Sequence, residues 1–235
     1  MLNNNSKQRR IALVGGVSWA SSAEYYRRLN IILTDSDEPG LVAVDLNFKH
    51  VLEAQELNIF EKEMELVSDG ISRAARAGGE IILVCSNTTS RTLNSVAHPD
   101  VEVISLIDCV SSHLDELKYT ETLLLGTRYT MERDFYRSAM QRQDRKIRIP
   151  EGDDRKKIHG IIYDELCRGK ILHTSKQWFR EMLEFYTAKF TKLDSIILGC
   201  TELSLLGMPE TVNQCAVIDT IAVHIDTALQ VASIA

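Results

Sequence analysis

No apolar run in this chain is long enough to span a membrane, which excludes a bilayer-crossing helix. No two of its five cysteines, at 85, 109, 167, 200 and 215, form a CxxC pair, and the total is odd. That pattern argues against both a disulfide framework and a zinc site, and it makes a reducing cytoplasm the expected home. A basic excess is missing too: the net charge is -6, so the chain has no general attraction to nucleic acid or to an anionic membrane surface. Any acidic ligand must therefore be drawn in by a local set of donors and cations. Gly15-Gly16 lacks the third glycine of a dinucleotide fingerprint, which disfavours a nicotinamide enzyme. Lys7-Gln8-Arg9-Arg10 ahead of apolar Ile11 to Ala20 faintly imitates a secretory leader, but Gly15-Gly16 interrupts the run and a core strand explains it better.

What is present is an ordinary globular composition. With 235 residues, 44% hydrophobic and 26% charged, the chain can bury a sizeable core in one large domain or two smaller ones. Its organising stretch is Ile196-Ile197-Leu198-Gly199-Cys200-Thr201-Glu202. Three apolar residues read as a buried strand, a glycine turns the backbone, and a thiol, a hydroxyl and a carboxylate are left at the strand's carboxyl end. In open α/β sheets ligands bind at that end. Cys200 is thus the first candidate nucleophile or acid/base, although cysteine is equally common as a core residue. A second stretch of the same build, Ile81-Ile82-Leu83-Val84-Cys85-Ser86-Asn87-Thr88, places Ser86 where Cys200 stands.

Taken in order, Met1 to Arg10 is polar and expected to fray, and Ile11 to Val14 is a short strand ended by Gly15-Gly16. Ser18 and Ser21-Ser22 start a helix with Tyr25, Tyr26, Leu29 and Ile32 on its buried face. Leu41 to Leu46 reads as a strand, Ile59 to Ala77 as a long helix, Val101 to Ile104 as a strand and Asp108 to Leu117 as a helix. The pattern then restarts at Thr122-Leu123-Leu124-Leu125-Gly126-Thr127, and Phe135-Tyr136-Arg137 echoes Tyr25-Tyr26-Arg27. The charged segment Arg142 to Lys157 is expected to be an exposed loop. Ser175 to Leu193 reads as an amphipathic helix with Trp178, Met182, Phe185, Tyr186 and Phe190 in the core, followed later by a strand at 217–220 and a helix from Ile221 to Ile234 that folds back on the first half.

The offset between Gly16 and Gly126 is 110 and that between Ser86 and Cys200 is 114, so the chain reads as an internal duplication. The expected fold class is α/β in two pseudo-symmetric lobes, 1–106 with 214–235 and 107–213, with the active site in the cleft between them. Two acid/base groups on opposite walls suit removal of a proton from one face of a carbon and its return to the other, which inverts a stereocentre. For that task Cys200 is expected to rest as a thiolate, because a thiol near donors ionises readily, and Ser86 as a far weaker hydroxyl acid.

At this point the residues resemble a known family. Gly15-Gly16-Val17-Ser18-Trp19 with Glu24-Tyr25-Tyr26, Asn87-Thr88, Leu125-Gly126-Thr127 with Thr130-Met131 and Phe135-Tyr136, Tyr163-Asp164-Glu165-Leu166, Leu198-Gly199-Cys200-Thr201-Glu202, and Asp219-Thr220 with His224 together are similar to the aspartate/glutamate racemases. The resemblance implies an amino-acid racemase without cofactor or metal, built of two lobes that are each a small parallel sheet wrapped by helices, and often a homodimer. The family's second catalytic cysteine falls on Cys200, and its first falls on Ser86. A branch acting on L-aspartate and L-glutamate carries threonine at the latter place, and Cys85-Ser86-Asn87-Thr88 is most similar to that branch. The substrate carboxylate would be held by Ser18, Asn87, Thr88, Thr127 and Thr201. Lys170 would reach a side-chain carboxylate, with Asn47 and Lys49 as further candidates after a strand. The histidine that often follows Asn-Thr is Ser90 here. This departure, with the hydroxyl at 86, implies slow and lopsided turnover.

Cys85 and His224 are expected to be structural, and Asp164 and Glu165 to cap their segment. Two rival functions stand beside racemisation. One is a one-thiol decarboxylase or isomerase of a small dicarboxylate, and the other a catalytically silent paralogue that binds an amino acid.

Overall fold

The computed structural model describes residues 9–34, 40–96, 100–140 and 145–233. Expectations for residues 1–8, including the leader-like Lys7-Gln8, lie outside these. The chain divides into two compact units, Met1–Leu106 with His224–Ala235, and Ile107–Val223.

The first unit runs β1 (Ile11–Gly15), α1 (Trp19–Leu33), β2 (Val42–Asp45), α2 (Phe48–Glu56), α3 (Phe60–Arg76), β3 (Ile81–Val84), a 3-10 turn (Thr89–Ser95) and β4 (Glu102–Ile104). Its sheet is parallel throughout, in the order β2-β1-β3-β4. Central strands covered on both faces need continuous apolar runs, and β1 and β3 are buried at every residue, whereas β2 at the edge alternates. Val67, Ile71 and Ala74 of α3 pack on Ala12, Val14, Ile82 and Val84. Gly70 permits that approach, because a Cβ there would fall 2.7 Å from Leu46 Cδ2 and 2.8 Å from Val14 Cγ1. On α1 the buried face is narrower than expected: Tyr25 and Leu29 are fully buried, but Tyr26 and Ile32 are about half exposed.

The second unit continues through α4 (Leu106–Glu116), β5 (Glu121–Leu125), α5 (Arg128–Glu132), α6 (Asp134–Met140), β6 (Lys146–Arg148), α7 (Gly152–Gly160), a π turn (Ile161–Glu165) and a 3-10 turn (Leu166–Arg168). Then come α8 (His173–Lys189), β7 (Ser195–Leu198), a 3-10 turn (Thr201–Leu206), β8 (Thr211–Val212), β9 (Cys215–Asp219) and α9 (Thr220–Ser233). The order is β6-β5-β7-β9-β8, parallel except for β8 against β9. The core gathers Leu123, Leu125, Ile158, Phe179, Leu183, Tyr186, Ile196 and Leu198. Phe185, expected in that core, is mostly exposed, while Trp178 and Phe190 pack against it from the rim.

Two expectations change here. The charged segment expected as an exposed loop, apart from 142–144 outside the described residues, contains β6 and the start of α7. Two of its cations are paired and sheltered rather than solvated: Arg145 is buried, donates to the carbonyls of Tyr119 and Met140, and pairs with Asp115, while Arg148 Nε donates to Glu121 Oε1 at 2.8 Å. The division near the C-terminus also moves, from 214 to between 223 and 224, because β9 pairs along its length with β7. From His224 onward α9 belongs to the first unit, where His224 bonds Tyr25 and the carbonyl of Ile104.

The duplication is visible in the topology. The order β2-β1-β3-β4 recurs as β6-β5-β7-β9. Val14 pairs with Val84 in one sheet and Leu125 with Leu198 in the other, and the carbonyl past each pair accepts alike: Cys85 N–H bonds Val14 O at 2.9 Å, and Gly199 N–H bonds Leu125 O at 2.7 Å. Ser86 and Cys200 therefore each stand two residues beyond the last paired residue of their strand. The same ladder matches Gly126 with Gly15, not with Gly16, an offset of 111 (126 less 15).

Candidate active site

The first strand end, Ser86-Asn87-Thr88, is a neutral assembly. Ser86 Oγ shares a hydrogen with Thr88 Oγ1 at 3.1 Å and accepts from the Thr89 N–H at 3.4 Å. Behind Thr88 lies a buried chain: Gln55 Nε2 donates to Thr88 Oγ1 at 3.1 Å and to Glu63 Oε1 at 3.0 Å, and Arg91 clasps Glu63. The Glu63 carboxylate is wholly buried, so Arg91 is what makes its charge tolerable. Ser90, standing where the family often has histidine, donates to the Ser86 carbonyl at 2.8 Å. No carboxylate or imidazole appears among the bonds recorded for Ser86.

The start of α1 is tied to this strand end, because Ser21 Oγ donates to the Cys85 carbonyl at 3.1 Å. Ser18 is the N-cap of α1, buried, and its hydroxyl has no hydrogen-bond partner among the described residues. Gly16, at φ +82, lets the preceding turn close against the backbone of Leu46. Asn87 is buried beside Ser86. Cys85 is buried with its thiol pushed up by burial and then by the charge of Asp45, in keeping with a packing role. His224 is held at both nitrogens, Nδ1 by the Tyr25 hydroxyl and Nε2 by the Ile104 carbonyl, each at 2.9 Å. A carbonyl can only accept, so Nε2 carries the hydrogen and Tyr25 donates to Nδ1. Burial lowers the imidazole to about 4.

The second strand end is built differently. Cys200 is half-buried by surface and lies within the second unit's packing, and its thiol donates to Glu202 Oε2 at 2.9 Å. Thr201 Oγ1 donates to the same oxygen at 3.1 Å. Thr201 and Glu202 are both about 4% exposed, so this carboxylate reaches solvent poorly. Burial first, then the charge of Glu202 and the neighbouring Cys167, push the Cys200 thiol well up, against a smaller opposing pull from the Glu202 backbone N–H. The expected resting thiolate is therefore corrected: Cys200 rests as a neutral thiol, because an anion there is desolvated and faces a carboxylate. Tyr136, fully buried on α6, is raised by burial and by Cys200.

Thr127 caps α5, its Oγ1 accepting from Thr130 N–H at 3.2 Å. The turns after β5 and β7 close only because both carry glycine. A Cβ on Gly126 would fall 3.1 Å from the Gly199 carbonyl, and one on Gly199 2.7 Å from the Leu125 carbonyl.

Each unit thus gathers its own candidates: Ser18, Ser86, Asn87 and Thr88 in the first, and Thr127, Cys200 and Thr201 in the second. Three residues remain apart from those clusters. Asn47 is exposed and spends its side-chain oxygen on the His50 N–H as the N-cap of α2. Lys49 is exposed beside Glu53, and Lys170 is exposed just after Gly169, the left-handed end of its turn. Sequence reasoning missed Gln55, Glu63 and Arg91, whose polar types on helical spacing look like a solvated face. It also missed Glu202 as a partner of the thiol, although the residue stood in the motif. No group of three or more His, Cys, Asp or Glu able to hold a metal occurs among the described residues, and no helix there is long and apolar enough to cross a membrane.

Residues 14–228 match the profile of the Asp/Glu/Hydantoin racemase family. The chain belongs to that family. Membership makes it an isomerase of the amino-acid racemase type, a class that works without pyridoxal phosphate. A putative Asp/Glu racemase from Yersinia pestis is 28% identical, with 96% of this chain and 99% of that one covered at a TM-score of 0.80. An aspartate racemase homologue from Pyrococcus horikoshii is 26% identical, with the same coverage and a TM-score of 0.79. A glutamate racemase from Bacillus anthracis shares the fold alone, at 16% identity and a TM-score of 0.58 over 97% of this chain and 82% of that one.

Proposed function

We propose that this family member racemises acidic amino acids, aspartate or glutamate, with Cys200 and Ser86 as the two groups that exchange the α-hydrogen. The observation that carries the reading is their matched placement, two residues past the last paired residue of equivalent central strands. Relatives described as Asp/Glu and aspartate racemases support the substrate class. In this reading Cys200 serves one face of the α-carbon and Ser86 the other. The substrate carboxylate takes hydrogen bonds from Asn87, Thr88, Thr127, Thr201 and Ser18. Ser18 supports this with a buried hydroxyl that has no hydrogen-bond partner among the described residues, at the N-terminus of a 15-residue helix, where an anion is favoured. Lys170 meets the side-chain carboxylate. No cofactor or metal takes part.

The reading includes a cytoplasmic homodimer. Trp19 and Tyr26, two turns apart on α1 and both at least half exposed, supply apolar surface for it, and sedimentation of the purified chain tests the assembly.

Because a serine hydroxyl without a base beside it is a poor proton acceptor, turnover is slow and its kcat differs between enantiomers. The two enantiomers have equal free energy, so kcat/KM must stay equal and KM must fall wherever kcat falls. Incubation with each L- and D-amino acid in deuterated water, followed by proton NMR, reads the α-hydrogen directly. Exchange with aspartate or glutamate is expected, and its absence with every amino acid overturns the proposal. The same contrast between the two strand ends favours one rival, a one-thiol decarboxylase or isomerase of a small dicarboxylate. The spectra separate it, since racemisation alone returns the starting covalent structure.

A further inference from the structure

We propose that His159 is a positioning residue, its neutral imidazole holding the Thr127-Arg128 turn in the place from which Thr127 meets the substrate carboxylate. The inference rests on the racemase reading and deepens it, by naming what fixes one of the carboxylate donors of the second unit.

The first amides of a helix have no partner within it. At the start of α5 the Thr130 N–H is taken by the Thr127 side chain at 3.2 Å, and the Arg128 N–H donates to His159 Nδ1 at 3.4 Å. His159 stands in the last turn of α7, and its ring lies against Tyr163 of the π turn with centroids 4.6 Å apart. The acceptor is thus delivered to the turn from a separate element that is itself packed in place. A ring nitrogen that accepts carries no hydrogen, which puts the imidazole's single hydrogen on Nε2. A second hydrogen, on Nδ1, would face the Arg128 N–H donor to donor, and the bond would be lost.

Charges on three elements set when that happens. Arg128 and Glu132 act on the ring from α5, and Asp164 acts from the π turn. Arg155, on α7 itself, is tied to Glu132 Oε1 at 3.1 Å, and Arg168 lies 3.6 Å from Asp164. Burial first, then the Arg128 cation, hold the imidazole below its ordinary 6.5, against the opposing pull of Asp164 and Glu132. The grip is therefore whole at neutral pH and is lost only in acid. Both enantiomers present the same α-carboxylate to this turn, so its release weakens the binding of both.

Two variants test this: His159→Ala, which removes the acceptor, and His159→Asn, whose Oδ1 stands near the place of Nδ1 and accepts at every pH. Two readouts are taken on the whole chain: KM and kcat of α-hydrogen exchange for each enantiomer against pH, and hydrogen exchange of the Arg128 amide by NMR. At neutral pH His159→Ala should raise KM about 5-fold for both enantiomers, with kcat changed by less than about 2-fold, and the Arg128 amide should exchange about 10-fold faster. In the wild-type protein KM should climb likewise between about pH 6.5 and 4.5, whereas in His159→Asn it should stay level across that window and near the wild-type value at neutral pH. A merely structural role predicts neither the split between KM and kcat nor an acid rise that asparagine abolishes. If the alanine form does not fold, the asparagine form against wild type in acid decides. Unchanged KM or unchanged Arg128 exchange in His159→Ala, or an acid rise that survives in His159→Asn, overturns the proposal. If the wild-type protein exchanges no α-hydrogen with any amino acid, the racemase reading falls, and Arg128 amide exchange against pH alone decides whether His159 holds the turn.

Discussion

The two strand ends occupy equivalent places in duplicated sheets yet are supported in opposite ways. At 200 a carboxylate accepts directly from the candidate thiol, whereas at 86 the nearest one recorded in that chain, Glu63, is held back behind Gln55 and Thr88 and clasped by Arg91. A carboxylate in contact with a thiol holds it in the neutral form, whereas behind Ser86 the carboxylate is paired with Arg91 and serves the scaffold. Topological symmetry does not entail chemical symmetry. The strand order sets where the two candidate side chains stand, and the two or three residues after each strand set which partners they meet.

Four changes break or sharpen that contrast. The largest effect is expected from Cys200→Ala, which removes the only strand end with a proton acceptor at hand. Exchange of the α-hydrogen in deuterated water should drop at least about 10⁴-fold, and retention of full exchange would show that the chemistry lies elsewhere. Next is Arg91→Met, which leaves the buried Glu63 charge without its partner. Urea unfolding should show a loss of about 3–5 kcal/mol, most of it regained in the double variant with Glu63→Gln. A loss persisting undiminished in the double variant would mean that packing by Arg91, including its approach to the Phe60 ring at 5.0 Å, matters more than the charge.

Third is acid stability. His224 titrates at about 4 in the folded chain against its ordinary 6.5. As pH falls, the unfolded chain binds the proton first, so this contribution is fully present above about 6.5 and drains away toward 4. The loss amounts to roughly 3 kcal/mol, and His224→Asn should flatten the dependence of unfolding free energy on pH in that window. Equal slopes in the two proteins would contradict the buried neutral imidazole. The smallest change is Ser86→Cys, which makes the two ends alike. It should raise the slower enantiomer's kcat by about 10-fold, because a thiol is a far better proton donor and acceptor than a hydroxyl. A variant no faster than the parent would place the bottleneck outside proton transfer.

Much of this was legible in the residues themselves. β1, β3, β5 and β7 each contain an apolar run of three or four residues ended by turn residues, and strands buried on both faces have few other ways to look. The recurrence of Ser86 at Cys200's position followed from the same pattern. The protonation state of Cys200 was not legible, because it depends on how deeply the sulfur is buried and on which way Glu202 turns. β6 and α7 hid inside a run of charges, since Arg145 and Arg148 are satisfied by Asp115 and Glu121, residues far away in sequence. The one-residue error in matching Gly16 to Gly126 arose because the glycine pair at 15 and 16 offers two alignments, and only the hydrogen-bond ladder chooses between them.

The chain has two tryptophans, and they fall in different halves of the duplication. Trp19 opens α1 with most of its ring in water, while Trp178 on α8 packs at the rim of the second core with the Lys157 ammonium 4.3 Å from its ring centre. Each half therefore carries its own built-in fluorophore, one largely in water and one held beside a cation. Emission from single-tryptophan versions would let the melting of each half be watched separately, without attaching a dye.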